Sequence, residues 1–176
     1  SLHDALPISK EVTSGDALNH ESRAAVFYWQ NLITIENFTR GQKGIPPNNL
    51  LNYGYAILRA ITARAIVSSG MLPTLGIFHR NKYNAYCLAD DIMEPYRPFV
   101  DKLVMELVRE EMESGNNPDK IELNKKVKSA LLNIPVLDVK INGQRSPLMV
   151  AAGITTASLA KCYMGEIRKI AYPEFI

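Results

Sequence analysis

Three residues have types that could do chemistry together: Glu21, His79 and Glu94. Two carboxylates and one imidazole form a donor set suited to Mg2+ or Mn2+, with Mn2+ the more tolerant of nitrogen. The set is unlike the closed thiolate sites of structural zinc. Each residue also has a purely structural explanation. Glu21 comes early in a helical stretch, where an acid complements the helix dipole. His79 is a lone histidine in a connector, a common place for a hydrogen-bonded ring. Glu94 follows Asp91 by three residues, the spacing of a capping box, and Arg97 is its ready ion-pair partner. Geometry limits the choice. On one straight helix His79 and Glu94 would lie roughly 22 Å apart at 1.5 Å per residue, too far to share an ion. The turn-prone run Arg80-Asn81-Lys82-Tyr83-Asn84 permits the reversal that convergence needs.

The elements that must position these residues are helical in period. Ser14 or Asp16 can cap a first helix from Ala17 to about Asn37, with Ala24, Ala25, Tyr28, Leu32 and Ile33 on one broad face. The Gly- and Pro-rich run Arg40 to Pro47 is a loop. A second helix runs from Asn48 or Asn49 to Ser69, with the stripe Leu51, Tyr55, Leu58, Thr62 and Ile66, and Gly70 closes it. A connector over 73–84 carries His79. A helix starting near Asp90 or Asp91 continues to Glu113, kinked or joined from two pieces at Pro95 and Pro98. Asp119 to Leu132 reads as one more amphipathic helix. Val136 to Ile141 followed by Asn142-Gly143 suggests a short β-hairpin, and Ser146-Pro147 opens the last helix, which ends near Gly165. The fold class is mainly α, with at most that hairpin.

Length and composition agree with an ordinary folded domain. The chain has 176 residues, 47% hydrophobic and 22% charged, which excludes a disordered or low-complexity protein. Apolar runs are too short to span a bilayer, and the first ten residues lack the pattern of a secretory leader. Cys87 and Cys162 have no CxxC spacing and are expected as reduced cytosolic thiols. A net charge of +2 gives no global basic footprint, so any DNA contact must come from local cations. The chain opens Ser1-Leu2-His3-Asp4, without Met, and reads as a fragment of a longer protein. Residues 1–10 form a leader unrelated in pattern to the helical domain of residues 11–176.

Four ordered blocks carry a resemblance. Asn19-His20-Glu21-Ser22-Arg23-Ala24-Ala25 with Tyr28, Leu51-Asn52-Tyr53-Gly54-Tyr55-Ala56-Ile57-Leu58, Gly76-Ile77-Phe78-His79-Arg80-Asn81, and Leu88 through Asp91, Glu94 and Arg97 to Pro98 occur in that order across residues 11–110. The chain thereby resembles the CRISPR adaptation (spacer-acquisition) integrase and endonuclease family. The C-terminal portion, including Lys140 to Met149 and Tyr172-Pro173-Glu174, is similar to its type II branch.

The resemblance implies a helical, metal-dependent catalytic domain in which Glu21, His79 and Glu94 hold Mg2+ or Mn2+, with Asp91 and Arg97 supporting them from behind. It implies insertion of spacers by attack of a DNA 3′-hydroxyl on a phosphodiester at a repeat edge. The family's β-rich N-terminal domain, which helps form a homodimer, has no counterpart in this sequence. Double-stranded DNA, a second copy of the full-length protein and a small ferredoxin-fold adaptation protein are the implied partners, with no membrane and a prokaryotic cytoplasmic location. Arg23, Arg40, Lys43, Arg80 and Lys82, near the signature blocks, are the expected phosphate contacts. Lys125, Lys126 and Lys128 read as a solvated helix face, and Tyr28, Trp29, Tyr53 and Tyr55 mainly as core. Two other readings are a non-enzymatic helical interaction module and a metal-dependent nuclease of another family. Metal binding discriminates the first from an enzyme, and joined versus cut DNA discriminates the second.

Overall fold

The computed structural model describes residues 20–33, 35, 38–41 and 44–176, with backbone alone for 20–22. The elements in order are α1 (His20–Leu32), α2 (Asn48–Ser68), α3 (Cys87–Met93), a 3-10 turn (Glu94–Tyr96), α4 (Arg97–Glu113), a 3-10 turn (Pro118–Lys120), α5 (Lys125–Leu131), a 3-10 turn (Ile134–Val136), β1 (Asp138–Ile141), β2 (Gln144–Pro147) and α6 (Leu148–Tyr163). The mainly helical expectation holds. So does the hairpin: β1 and β2 pair antiparallel from Asp138↔Pro147 to Ile141↔Gln144. Asn142 at φ 50° and Gly143 at φ 80° make the two-residue turn that the Asn-Gly pair favours.

The longest described helix, α2, is the axis of the fold, packed against α3, α4 and α6. Leu50, Leu51, Leu58 and Ile66 recur at helical spacing and are fully buried. Gly54 lets α4 approach closely, since a Cβ there would sit 2.6 Å from Val100 Cγ1. Gly70, at φ 76°, ends the helix as expected. On α6, Thr155 and Thr156 are buried but satisfied. Tyr96 donates to Thr155, which donates to the Ala171 carbonyl, and Thr156 donates to the Ala65 carbonyl.

Some local expectations change. The stretch from Asp119 to Leu132 is not one helix. Asn117 and Asn124 accept from Asp119 N–H and Val127 N–H, so each caps a separate short piece, and the backbone between them is extended. Asp91 does not cap a helix: it lies inside α3, whose N-terminal flank is Tyr86 with no side-chain cap. Ser146 ends up in β2, and α6 starts at Leu148. Ala25, expected on the buried face of α1, is exposed. The proposed break at Pro95 and Pro98 is real, with α3 and α4 joined through the 3-10 turn that holds Glu94.

Candidate metal centre and its supports

The connector between α2 and α3 has little secondary structure, yet it is firmly held. Two adjacent aspartates on α3 clamp it. Asp91 accepts the backbone N–H groups of Ile77, Phe78 and His79 at 2.6, 3.0 and 3.1 Å, and also faces the His79 ring Nδ1 at 2.6 Å. Asp90, almost buried, takes Asn84 Nδ2 on one oxygen and Arg59 Nε of α2 on the other, both at 2.7 Å. Gly76 makes the clamp possible. A Cβ there would collide with the His79 carbonyl oxygen, stand 2.8 Å from Cys87 Cβ and come within 3.1 Å of Asp91 Oδ2.

Burial of Asp91 works against its charge. The hydrogen bonds from Phe78, from the ring and N–H of His79, and from Ile77 outweigh it and hold the carboxyl below the usual range. An ionised Asp91 facing Nδ1 fixes the proton of a neutral His79 on that nitrogen. Nε2 then carries the lone pair, on a side chain that is 42% exposed. A carboxylate thus stands behind the ring and orients it.

Glu94 stands at the α3–α4 joint, half exposed, with its carboxylate 3.0 Å from Arg97. The Arg97 guanidinium lies over the Tyr55 ring at 5.0 Å, and Arg40 lies over the same ring at 5.3 Å. The Tyr55 hydroxyl donates to Asp101 at 2.5 Å, and Tyr28 of α1 donates to its other oxygen at 2.7 Å. Asp101 is 1% exposed. Burial pushes its carboxyl up to about 6, against the opposing pull of both hydroxyls, Arg97 and Arg40. Burial and the Asp101 charge hold both phenols above their normal range.

Of the expected site residues, the structure joins His79 to Asp91 and Glu94 to Arg97. The side chain of Glu21 and all of Lys43 lie outside the described residues, although the Glu21 backbone belongs to α1. Among the described residues no three His, Cys, Asp or Glu side chains are gathered closely enough to hold a metal ion. Arg23, Arg80 and Lys82 are exposed, and Lys82 sits over the Tyr83 ring. Arg40 is half-buried and donates to Gly41 O, Asn48 Oδ1 and Asn52 Oδ1. Lys125, Lys126 and Lys128 are exposed, as expected of a solvated face, and Lys126 pairs there with Glu111 at 2.8 Å. Sequence reading missed Arg59, Asp90 and Asp101. Asp101 left a signal, a charge on the apolar stripe of α4 three residues before Val104 and seven before Val108. The Asp90–Arg59 pair left none.

Comparison with known proteins gives this geometry its context. Residues 4–134 match the family described as CRISPR associated protein Cas1. The chain is 37% identical over 169 residues to the CRISPR-associated endonuclease Cas1 of Neisseria meningitidis serogroup C, covering 91% of this chain and 53% of that protein. It is 33% identical over 135 residues to one from Francisella tularensis subsp. novicida, covering 72% of this chain and 40% of that protein. It therefore spans about half, or less, of the length of these relatives. Two solved structures share the fold. A casposase bound to integration product superposes with a TM-score of 0.72 at 22% identity, over 97% of this chain and 54% of that one. A Cas1 protein from Thermotoga maritima gives 0.71 at 20% identity, over 94% and 59%. With three-quarters of its length inside the family match, the chain belongs to the CRISPR-associated Cas1 family.

Proposed function

We propose that this chain carries the catalytic part of a metal-dependent DNA endonuclease and integrase of the type II branch, adding new spacers to a CRISPR array. Its setting is the prokaryotic cytoplasm, and its assembly a dimer of the full-length protein with a small ferredoxin-fold partner. The observation that carries this reading is the Asp91 clasp on His79, within a chain whose relatives are named CRISPR-associated endonucleases. The casposase of the same fold, solved with integration product, favours DNA joining.

Glu21, His79 and Glu94 would hold Mg2+ or Mn2+, and the described groups fit that task. His79 commits Nδ1 to Asp91 and keeps Nε2 for a cation, while Glu94 offers a half-exposed carboxylate. A bound ion of this kind supplies Lewis-acid stabilisation of charge developing on phosphoryl oxygens. The chain itself does the positioning. Asp91 fixes the tautomer and direction of the imidazole, and Arg97 steadies the Glu94 carboxylate. Exposed cations such as Arg80 and Lys82 draw in the DNA backbone without reading its sequence.

The chemistry exchanges one phosphodiester for another. A 3′-hydroxyl oxygen bonds to phosphorus and gives up its proton, while the phosphorus–oxygen bond to the target strand's 3′-oxygen breaks and that oxygen gains a proton. With water in place of the hydroxyl, the same site cuts without joining.

The test measures joined and cut products from labelled DNA, together with Mn2+ uptake, for the chain and for Glu21→Ala, His79→Ala and Glu94→Ala. Loss of both chemistry and Mn2+ uptake, with DNA affinity kept, is the expected result. A variant that still transfers strands near the wild-type rate removes that residue from the ligand set. Cutting with no joining would favour a nuclease alone.

A further inference from the structure

Beside Glu94 lies a pocket of about 410 Å3 that the chemistry above does not use, lined by Arg40, Asn52, Tyr55, Arg59, Met93 and Arg97 among others. Three guanidiniums from three segments face one space: the loop before α2, α2 itself and the start of α4. Assembling like charges costs free energy, and carboxylates around the pocket offset that cost. Asp90 takes Arg59 through Nε, and Glu94 takes Arg97 through one terminal nitrogen. Among the described residues Arg40 has only neutral acceptors, namely the Gly41 carbonyl and the amide oxygens of Asn48 and Asn52. Asp101, bonded to the Tyr55 hydroxyl and pulled by the charges of Arg40 and Arg97, offsets them from behind the ring rather than from within the pocket lining.

Donors are left over. Among the described residues the buried Arg97 Nε has no hydrogen-bond partner, a costly state for a charged group inside a protein. Among the described residues Arg59 bonds through Nε alone, to Asp90, which leaves its terminal nitrogens for a ligand on a side chain that is 47% exposed. Tyr55 acts as the floor, its ring beneath both Arg40 and Arg97 and its hydroxyl fixed to buried Asp101. The guanidiniums are therefore pre-aimed, which lowers the entropy lost when they bind a ligand.

We propose that this pocket is a phosphodiester seat: Arg59 and Arg97 grip a backbone phosphate of a DNA strand, with the Arg40 guanidinium behind them. The inference rests on the DNA reading above and extends it to a defined holding point beside Glu94. Guanidinium forks match phosphate oxygens in geometry and charge. The space exceeds a bare phosphate and falls in the usual size range of a small-ligand site, enough for a nucleotide unit with its sugar near Met93. A phosphate contact carries no sequence information, so the seat holds any strand alike.

Two measurements test it, both on the full 176-residue chain. In the first, anisotropy of a labelled oligonucleotide is followed from 50 to 200 mM KCl for wild type, Arg59→Gln and Arg59→Lys. Arg59→Gln should bind about tenfold more weakly for every sequence, with the salt slope reduced by roughly 0.7–0.9, one phosphate contact. Arg59→Lys should keep the slope, since the charge remains. An unchanged slope in a folded Arg59→Gln overturns the seat.

In the second, arginine Nε–H resonances of the wild-type protein are titrated with the dinucleotide d(TpT) and, separately, with inorganic phosphate. Shifts of Arg97 and Arg59 with d(TpT) support the proposal. Shifts with inorganic phosphate only overturn a strand in favour of a free anion, and silence with both overturns the pocket altogether. A normal Arg59 dependence without Mn2+ uptake or strand transfer would support the seat while sinking the integrase reading.

Discussion

One carboxylate oxygen of Asp91 faces both the ring Nδ1 and the backbone N–H of His79, at 2.6 and 3.1 Å. The ring and its own peptide are thus oriented by the same atom, on a neighbouring helix. A histidine on a connector without regular structure acquires the precision of a residue on a rigid element.

Asp91→Ala should therefore weaken Mn2+ binding by about 10–100-fold, the usual effect of removing a carboxylate behind a ligating histidine. Electron paramagnetic resonance of free Mn2+ measures it. Asp91→Asn, which keeps an acceptor for part of the loop, should fall between. Wild-type affinity in both variants would show that the clasp does not serve a cation.

Gly76→Ala should act on the same loop without touching a charge. The new methyl meets the His79 carbonyl and Cys87, so the connector must move. A displacement near 1 Å at a reacting group costs about 10²-fold in rate. Strand-transfer rate and melting temperature should separate, with a large fall in the first and a small one in the second.

Gly54→Ala tests the crossing of α2 and α4. Helix propensity favours alanine by about 1 kcal/mol, but overpacking a tight core costs about 1–3 kcal/mol. With Val100 Cγ1 only 2.6 Å from the added carbon, the clash should win. Urea unfolding should show a net loss, deeper for Gly54→Val than for Gly54→Ala.

Asp101 predicts a pH dependence with a definite sign. Its carboxyl is raised from 3.8 to about 6 in the fold, so the native state holds its proton longer than the unfolded chain. The stability it contributes is complete below pH 3.8 and is lost as pH rises through 6. Two units correspond to about 3 kcal/mol. Asp101→Asn removes this titration. The stability difference, variant minus wild type, should therefore rise between pH 4 and 7 by up to that amount in urea titrations. A flat difference would show that Asp101 titrates alike in both states.

The helical class, the Asn142-Gly143 hairpin, the joint at Pro95 and Pro98, and the residue types with chemical potential are all legible in the chain alone. These are local properties: periodicity, φ restriction and turn chemistry act over a few residues and leave their mark in the order of residue types. Glu21, His79 and Glu94 were legible as types through the ordered motif blocks. The resemblance put Asp91 behind that set, but its contacts were not legible. Its three-residue spacing to Glu94 suits a capping box as well as an interior position, and only the return of the connector along α3 made it the acceptor for residues 77–79. Arg59 joined Asp90 for the same reason, because α2 and α3 pack side by side. The pocket of Arg40, Arg59 and Arg97 combines a loop and two helices that are distant in sequence. Local preferences fix elements, but long-range packing decides which polar groups are buried together, and buried groups must find their partners there.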